Sequence, residues 1–151
     1  MPLQQKLMEE MKEGMRTGDS DRVSVIRLLR ASIKNKEIDK GKGQLLTEDE
    51  ILQVISTAVK QRKESIEQFL KGGRQDLVDK EKRELAILQS FLPQPISDEA
   101  LQAKVKEAIA QAGATDVKQM GKVMKILIPQ LLGKADGNKI SEMVRTSLEQ
   151  K

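Results

Sequence analysis

Lys60-Gln61-Arg62-Lys63-Glu64-Ser65-Ile66-Glu67-Gln68-Phe69-Leu70-Lys71-Gly72-Gly73-Arg74, continuing through Lys80-Glu81-Lys82-Arg83-Glu84-Leu85, reads as two charged helices hinged at a Gly-Gly break. With each residue turning ~100° about a helix axis, the apolar stripe of the first is Ile51, Ile55, Ala58, Ile66 and Phe69, and Arg62 falls in its middle. The second stripe is Leu77, Val78, Leu85, Leu88 and Leu92, with Glu81 in its middle. Folding back at Gly72-Gly73 as an antiparallel pair sets Arg62 level with Glu81 or Glu84. An Arg and a Glu opposed on two apolar faces predict a buried ion pair that fixes the register of a helical hairpin. The competing reading, a charged site built from Arg62, Ser65, Glu81 and Glu84, explains their place in the stripes less well.

The helical period continues in both directions. Upstream, Leu3, Leu7, Met8, Met11 and Met15 form a stripe over residues 3–16 that Gly18 closes. Asp19 or Ser20 is placed to cap a second helix, reaching to about Asp39 and burying Val25, Ile26, Leu29 and Ile33. After the loop Gly41-Lys42-Gly43, Thr47 and Glu50 spell a capping box and Leu46 and Ile51 a hydrophobic staple, so a third helix starts there and runs to about Lys71. The fourth extends from about Arg74 to Leu92, where Pro93-Gln94-Pro95 forbids helix and marks a domain boundary.

Downstream, Ser97 caps a fifth helix carrying Leu101, Val105, Ala108 and Ile109, with Ile96 stapled to Leu101 and Gly113 at its end. Thr115 is placed to cap a sixth, bearing Met120, Val123, Met124, Leu127, Ile128 and Leu131, with Pro129 bending or interrupting its last turns and Gly133 ending it. Asp136 or Asn138 opens a seventh, with Ile140, Met143, Val144 and Leu148 inward. No β-alternation survives. The expectation is all-α, with a four-helix unit over 1–92 followed by a small three-helix bundle over 96–151.

Composition limits the chemistry. The 151 residues include two Phe and no Trp, Tyr, His or Cys, so the core is aliphatic and Met-containing, as in helical bundles. Without His or Cys there is no Ser-His-Asp or Cys-His machinery, no thiolate or imidazole zinc site and no disulfide. No catalytic residue, metal or cofactor is expected. The N-terminus lacks the apolar core of a signal peptide, and no run approaches the ~20 apolar residues of a membrane span. A soluble cytoplasmic protein with no membrane role is the expectation. Three familiar loops fail on inspection: Gly113 to Gly121-Lys122 is too long for a phosphate loop and has Val123 where Ser or Thr is needed, Gly133 to Gly137 has no preceding strand, and Asp19 and Asp21 lack the other ligands of a calcium loop.

The net charge of +4 is spread evenly, with 18 basic against 16 acidic groups in residues 1–92 and 9 against 7 in 93–151. Local clusters are more informative. Arg27, Arg30 and Lys34 form a ridge beside the stripe of the second helix, with no acid between Asp21 and Glu37. Such a ridge reads as a phosphate-binding face or as a solvated helix edge. Gly121 lies in an apolar-periodic helix, where glycine costs ~1 kcal/mol relative to alanine. That predicts close approach of a neighbouring helix or of a ligand backbone, with Lys122 and Lys125 beside it and Lys134, Gly137 and Lys139 extending the surface.

Several of these stretches resemble one family. Lys60 to Ile66, Gly72-Gly73-Arg74-Gln75-Asp76-Leu77, Lys80-Glu81 with Glu84-Leu85, Leu92-Pro93 and Met120-Gly121-Lys122-Val123-Met124 look like the YqeY proteins, and Arg27-Leu28-Leu29-Arg30 and Ile33-Lys34-Asn35 also fit. These are small stand-alone bacterial relatives of the tail of the B subunit of the tRNA-dependent amidotransferase. In that enzyme the tail is a helical appendage that helps grip tRNA, while phosphorylation and amide transfer belong to other domains. The resemblance therefore implies binding of tRNA or another structured RNA, with a possible protein partner in translation, and it carries over no catalytic residue. A label of carbon-nitrogen ligase with glutamine as amido donor would be inherited from the longer protein. The leading expectation is a non-catalytic RNA-binding module contacting phosphates through Lys122, Lys125, Lys134 and Lys139 around Gly121 and Gly137, with Arg27, Arg30 and Lys34 as a second surface. The alternatives are an accessory factor in amidation of misacylated tRNA and a protein-binding adaptor.

Overall fold

The computed structural model describes residues 2–150, and among them every regular element is helical. The chain divides into two compact units, 1–92 and 93–151. The first holds α1 (Leu3–Thr17), α2 (Ser20–Lys40), α3 (Glu48–Lys71) and α4 (Gln75–Gln89). The second holds α5 (Asp98–Ala112), a single 3-10 turn (Val117–Gln119), α6 (Met120–Leu131) and α7 (Gly137–Glu149).

In the first unit α3 packs along α4 and α1 along α2, and α2 leans on both members of the hairpin. Its core gathers Leu7, Val25, Ile26, Leu29, Ile51, Ile55 and Leu88 with Phe91. The capping box forms as written: Thr47 Oγ1 accepts from the Glu50 N–H at 3.2 Å, and Glu50 Oε1 accepts from the Thr47 N–H at 3.4 Å. Leu46 and Ile51 are buried in the same cluster, which completes the staple. Asp19 caps α2 through the Arg22 N–H, and Gly18 ends α1 in the left-handed conformation (φ 77°). Glu48, in the first turn of α3, accepts from the Leu3 N–H at 3.1 and 3.2 Å and so caps α1 as well.

The stripe expected on α1 is too wide. Leu3 and Leu7 are buried and Met11 is partly so, but Met8 and Met15 are exposed. The reason lies in Gly14, which is buried: a Cβ there would meet Val23 Cγ2 at 3.0 Å. α1 crosses α2 on its glycine, and Met15, one residue round, turns to solvent.

The second unit packs α5, α6 and α7 pairwise around Leu101, Val105, Ile109, Val123, Leu127, Leu131, Val144 and Leu148. Ser97 caps α5 through the Ala100 N–H at 3.2 Å, and Asp136 caps α7 through the Asn138 N–H at 2.9 Å. Thr115 does not cap α6. Its N–H and its hydroxyl both turn to Gln119 Oε1, at 2.6 and 3.2 Å, and this clasp makes the 3-10 turn that delays the helix to Met120. Pro129 lies inside the last turn of α6, where it has no N–H to give the carbonyl four residues before it.

Candidate functional site

α6 turns its apolar face, Val123, Leu127 and Leu131, inward, and 3.6-residue periodicity then sends Lys122 and Lys125 outward. Both are exposed, as is Lys118 one turn earlier in the 3-10 segment. From Val117 to Ala135 the chain carries Lys118, Lys122, Lys125 and Lys134 and no acid. Among the described residues of the second unit, the lysine held in an ion pair is Lys139, which reaches Asp98. α6 begins with no acidic residue in its first turn and no side-chain cap, its Met120 N–H bonding back to the Val117 carbonyl of the 3-10 turn. Three exposed ammonium groups with no ion-pair partner among the described residues make this face basic. Lys118 was absent from the residues singled out by sequence; the acid-free interval from Asp116 to Asp136 was the signal that marked it.

The structure corrects the reading of Gly121. Nothing lies within 4 Å of a Cβ built there, so no neighbouring helix approaches it. Because α6 starts at Met120, Gly121 sits in the first turn rather than in a helix interior, and its backbone faces open space. Gly137 is likewise the first residue of α7 with open space about it. The two glycines stand in the first turns of successive helices, separated along the chain by the rest of α6, about 18 Å long at 1.5 Å per residue. Lys134 is tied down through its backbone, its carbonyl accepting from the Ile96 N–H at 3.0 Å, and its side chain is exposed.

On α2 the basic ridge is uneven. Arg27 and Lys34 are exposed, whereas Arg30 is half-buried with Nη1 3.7 Å from Met11 Sδ. Arg22 is committed to Glu10, at 3.0 Å, and to Asp19, at 3.3 Å. Arg62 meets both expected carboxylates: Nη1 donates to Glu81 Oε2 at 3.1 Å and to Glu84 Oε2. Glu84 lies deeper, at 6% exposure, although Glu81 was expected at the centre of the stripe. Among the described residues no three His, Cys, Asp or Glu side chains gather to hold a metal ion, and no helix is long and apolar enough to cross a membrane.

A family model described as Yqey-like protein matches residues 4–148. The chain belongs to the YqeY-like family. Relatives carry the name "Altered inheritance of mitochondria protein 41, mitochondrial". The one from Lachancea thermotolerans is 40% identical over 107 residues, covering 70% of this chain and 57% of the relative. Those from Candida glabrata and Kluyveromyces lactis are 30% and 36% identical, covering 90% and 86% of this chain and 72% and 67% of the relatives. The YqeY-like chain thus spans little more than half the length of the Lachancea protein. These names overturn the expectation of a bacterial, cytoplasmic protein, since the relatives are yeast proteins and point to the mitochondrion. Composition could not make that distinction, because the solvent of an organelle interior and that of the cytoplasm select the same soluble surface.

Proposed function

We propose that this YqeY-like protein is a non-catalytic RNA-binding module that grips structured RNA, tRNA foremost, through phosphates on the outer face of α6. The observation that carries the reading is the trio Lys118, Lys122 and Lys125, exposed and free of ion-pair partners on an acid-free stretch at an uncapped helix start. Gly121 lies among them with open space where a side chain would stand. Lys134 follows the C-terminal end of α6 with its side chain exposed, Lys139 is paired with Asp98, and Arg27 with Lys34 offers a second surface on the first unit. With two Phe in the whole chain, Phe91 buried and Phe69 half-buried, base stacking has no platform, so binding is through shape and charge and discriminates sequence weakly.

Filter binding of bulk tRNA at two salt concentrations tests this. Retention at low salt that collapses on raising salt is expected; no retention at low salt would sink the proposal.

A further inference from the structure

Between α2, α3 and α4 lies a pocket of about 320 Å³ that RNA binding leaves unused. Its two charged lining residues are Arg62 and Glu81. Arg62 is already neutralised by Glu84, the buried carboxylate behind it, which does not line the space. Glu81 is a second carboxylate on the same guanidinium nitrogen, at 3.1 Å, so one negative charge is left over and it belongs to the group that opens on the pocket. Ser32, Gln61 and Ser65 line the same space, and among the described residues their side chains are committed to no hydrogen bond.

We propose that this pocket receives a lysine side chain presented by a partner protein. An ammonium has three donors and no acceptor, and the pocket supplies the matching acceptors in Glu81, Ser32 and Ser65. Val25, Leu29 and Leu88 form apolar walls for the four-carbon stem, the arrangement in which lysine buries its stem beneath a polar head. The volume stands at the low end for ligand sites and suits one side chain. A polypeptide, rather than a lone amine, follows from the rim. Leu28 is 58% exposed there, and beyond it lies a second depression of about 380 Å³ whose apolar part is Met15, Val23 and Leu28, with Ser20, Ser24 and Arg27 lining the remainder. Apolar surface continuing past the rim is covered by an apolar residue neighbouring the lysine in the same partner chain. The surplus carboxylate makes the pocket itself unsuited to an RNA phosphate.

The test is a titration of the full-length, isotope-labelled protein followed by amide NMR. The probes are Nα-acetyl-lysine methylamide, Nα-acetyl-norleucine methylamide as its uncharged counterpart, and a blocked tetrapeptide with leucine three positions before lysine. Saturable shifts at Ser32 and Ser65 are expected with the lysine amide, at least tenfold weaker binding with norleucine, and at least tenfold tighter binding with the peptide. Glu81→Gln should weaken the peptide at least tenfold. Leu28→Ala, at an exposed position on the wall shared by the two depressions, should weaken the peptide at least threefold more than it weakens the lysine amide. Equal binding of the lysine and norleucine amides, or no saturable shift with any probe, overturns the proposal. A peptide no tighter than the amide overturns its protein partner. Neither comparison depends on Glu81→Gln folding, and neither depends on RNA binding.

Discussion

Arg62 holds two carboxylates in a helical hairpin, and removing it strands one of them in the core. Arg62→Ala leaves Glu84 buried without its partner, so the variant should lose about 3–5 kcal/mol of stability. Replacing the deeper pair, as in Arg62→Met with Glu84→Leu, removes the more buried stranded charge and should recover part of that loss, since Glu81 still loses its partner. Thermal unfolding of the single and double variants checks this; a single variant as stable as wild type would contradict the buried pair. Two glycines make an opposite pair of predictions. Gly14→Leu drives a side chain into Val23 Cγ2 and should cost about 1–3 kcal/mol by overpacking. Gly121→Ala meets open space and should be neutral or stabilising by up to ~1 kcal/mol. Denaturant melts of both decide which glycine serves packing.

At the scale of the element, helix starts were the most legible feature of the sequence, because a cap is a short-range arrangement between a side chain and backbone N–H groups two or three residues on. Thr47 with Glu50, Ser97, Asp19 and Asp136 all act as their positions imply. Thr115 is the exception, since its partner is a glutamine side chain whose reach no propensity encodes. The start of α3 makes a testable case. The Lys40 ammonium hydrogen-bonded to Glu50 holds its carboxyl below the ordinary glutamate value, with Thr47 adding to the effect against a smaller opposing desolvation. Because the folded-state value is depressed, the stabilisation is complete above the unfolded glutamate pKa of about 4.3 and is lost as pH falls through the folded value. A carbon-13 titration should place the Glu50 midpoint below that of glutamate in an unstructured peptide, and Glu50→Gln should remove the corresponding acid-side loss of order in the first turn. A midpoint at or above the peptide value would contradict the capping account.

For the whole molecule, the all-helical class was legible because apolar period and caps agree along the entire chain. The crossing of α1 on Gly14 was not, since a glycine gives no periodic signal of what it packs against. The site was legible in part. Lys122 and Lys125 are where periodicity sends them, but Gly121 and Gly137 were joined by nearness in sequence, and the rest of α6 separates them along the chain. Arg62 and Glu81 join α3 to α4 as the sequence predicts, while the basic face lies on α6. The central claim is that this face binds phosphates. Changing Lys118, Lys122 and Lys125 together to glutamine should weaken tRNA binding and reduce the steepness of log K against log salt by roughly 2 to 3, at about 0.7–0.9 for each phosphate that is no longer neutralised. An unchanged affinity and an unchanged slope in that triple variant would contradict it.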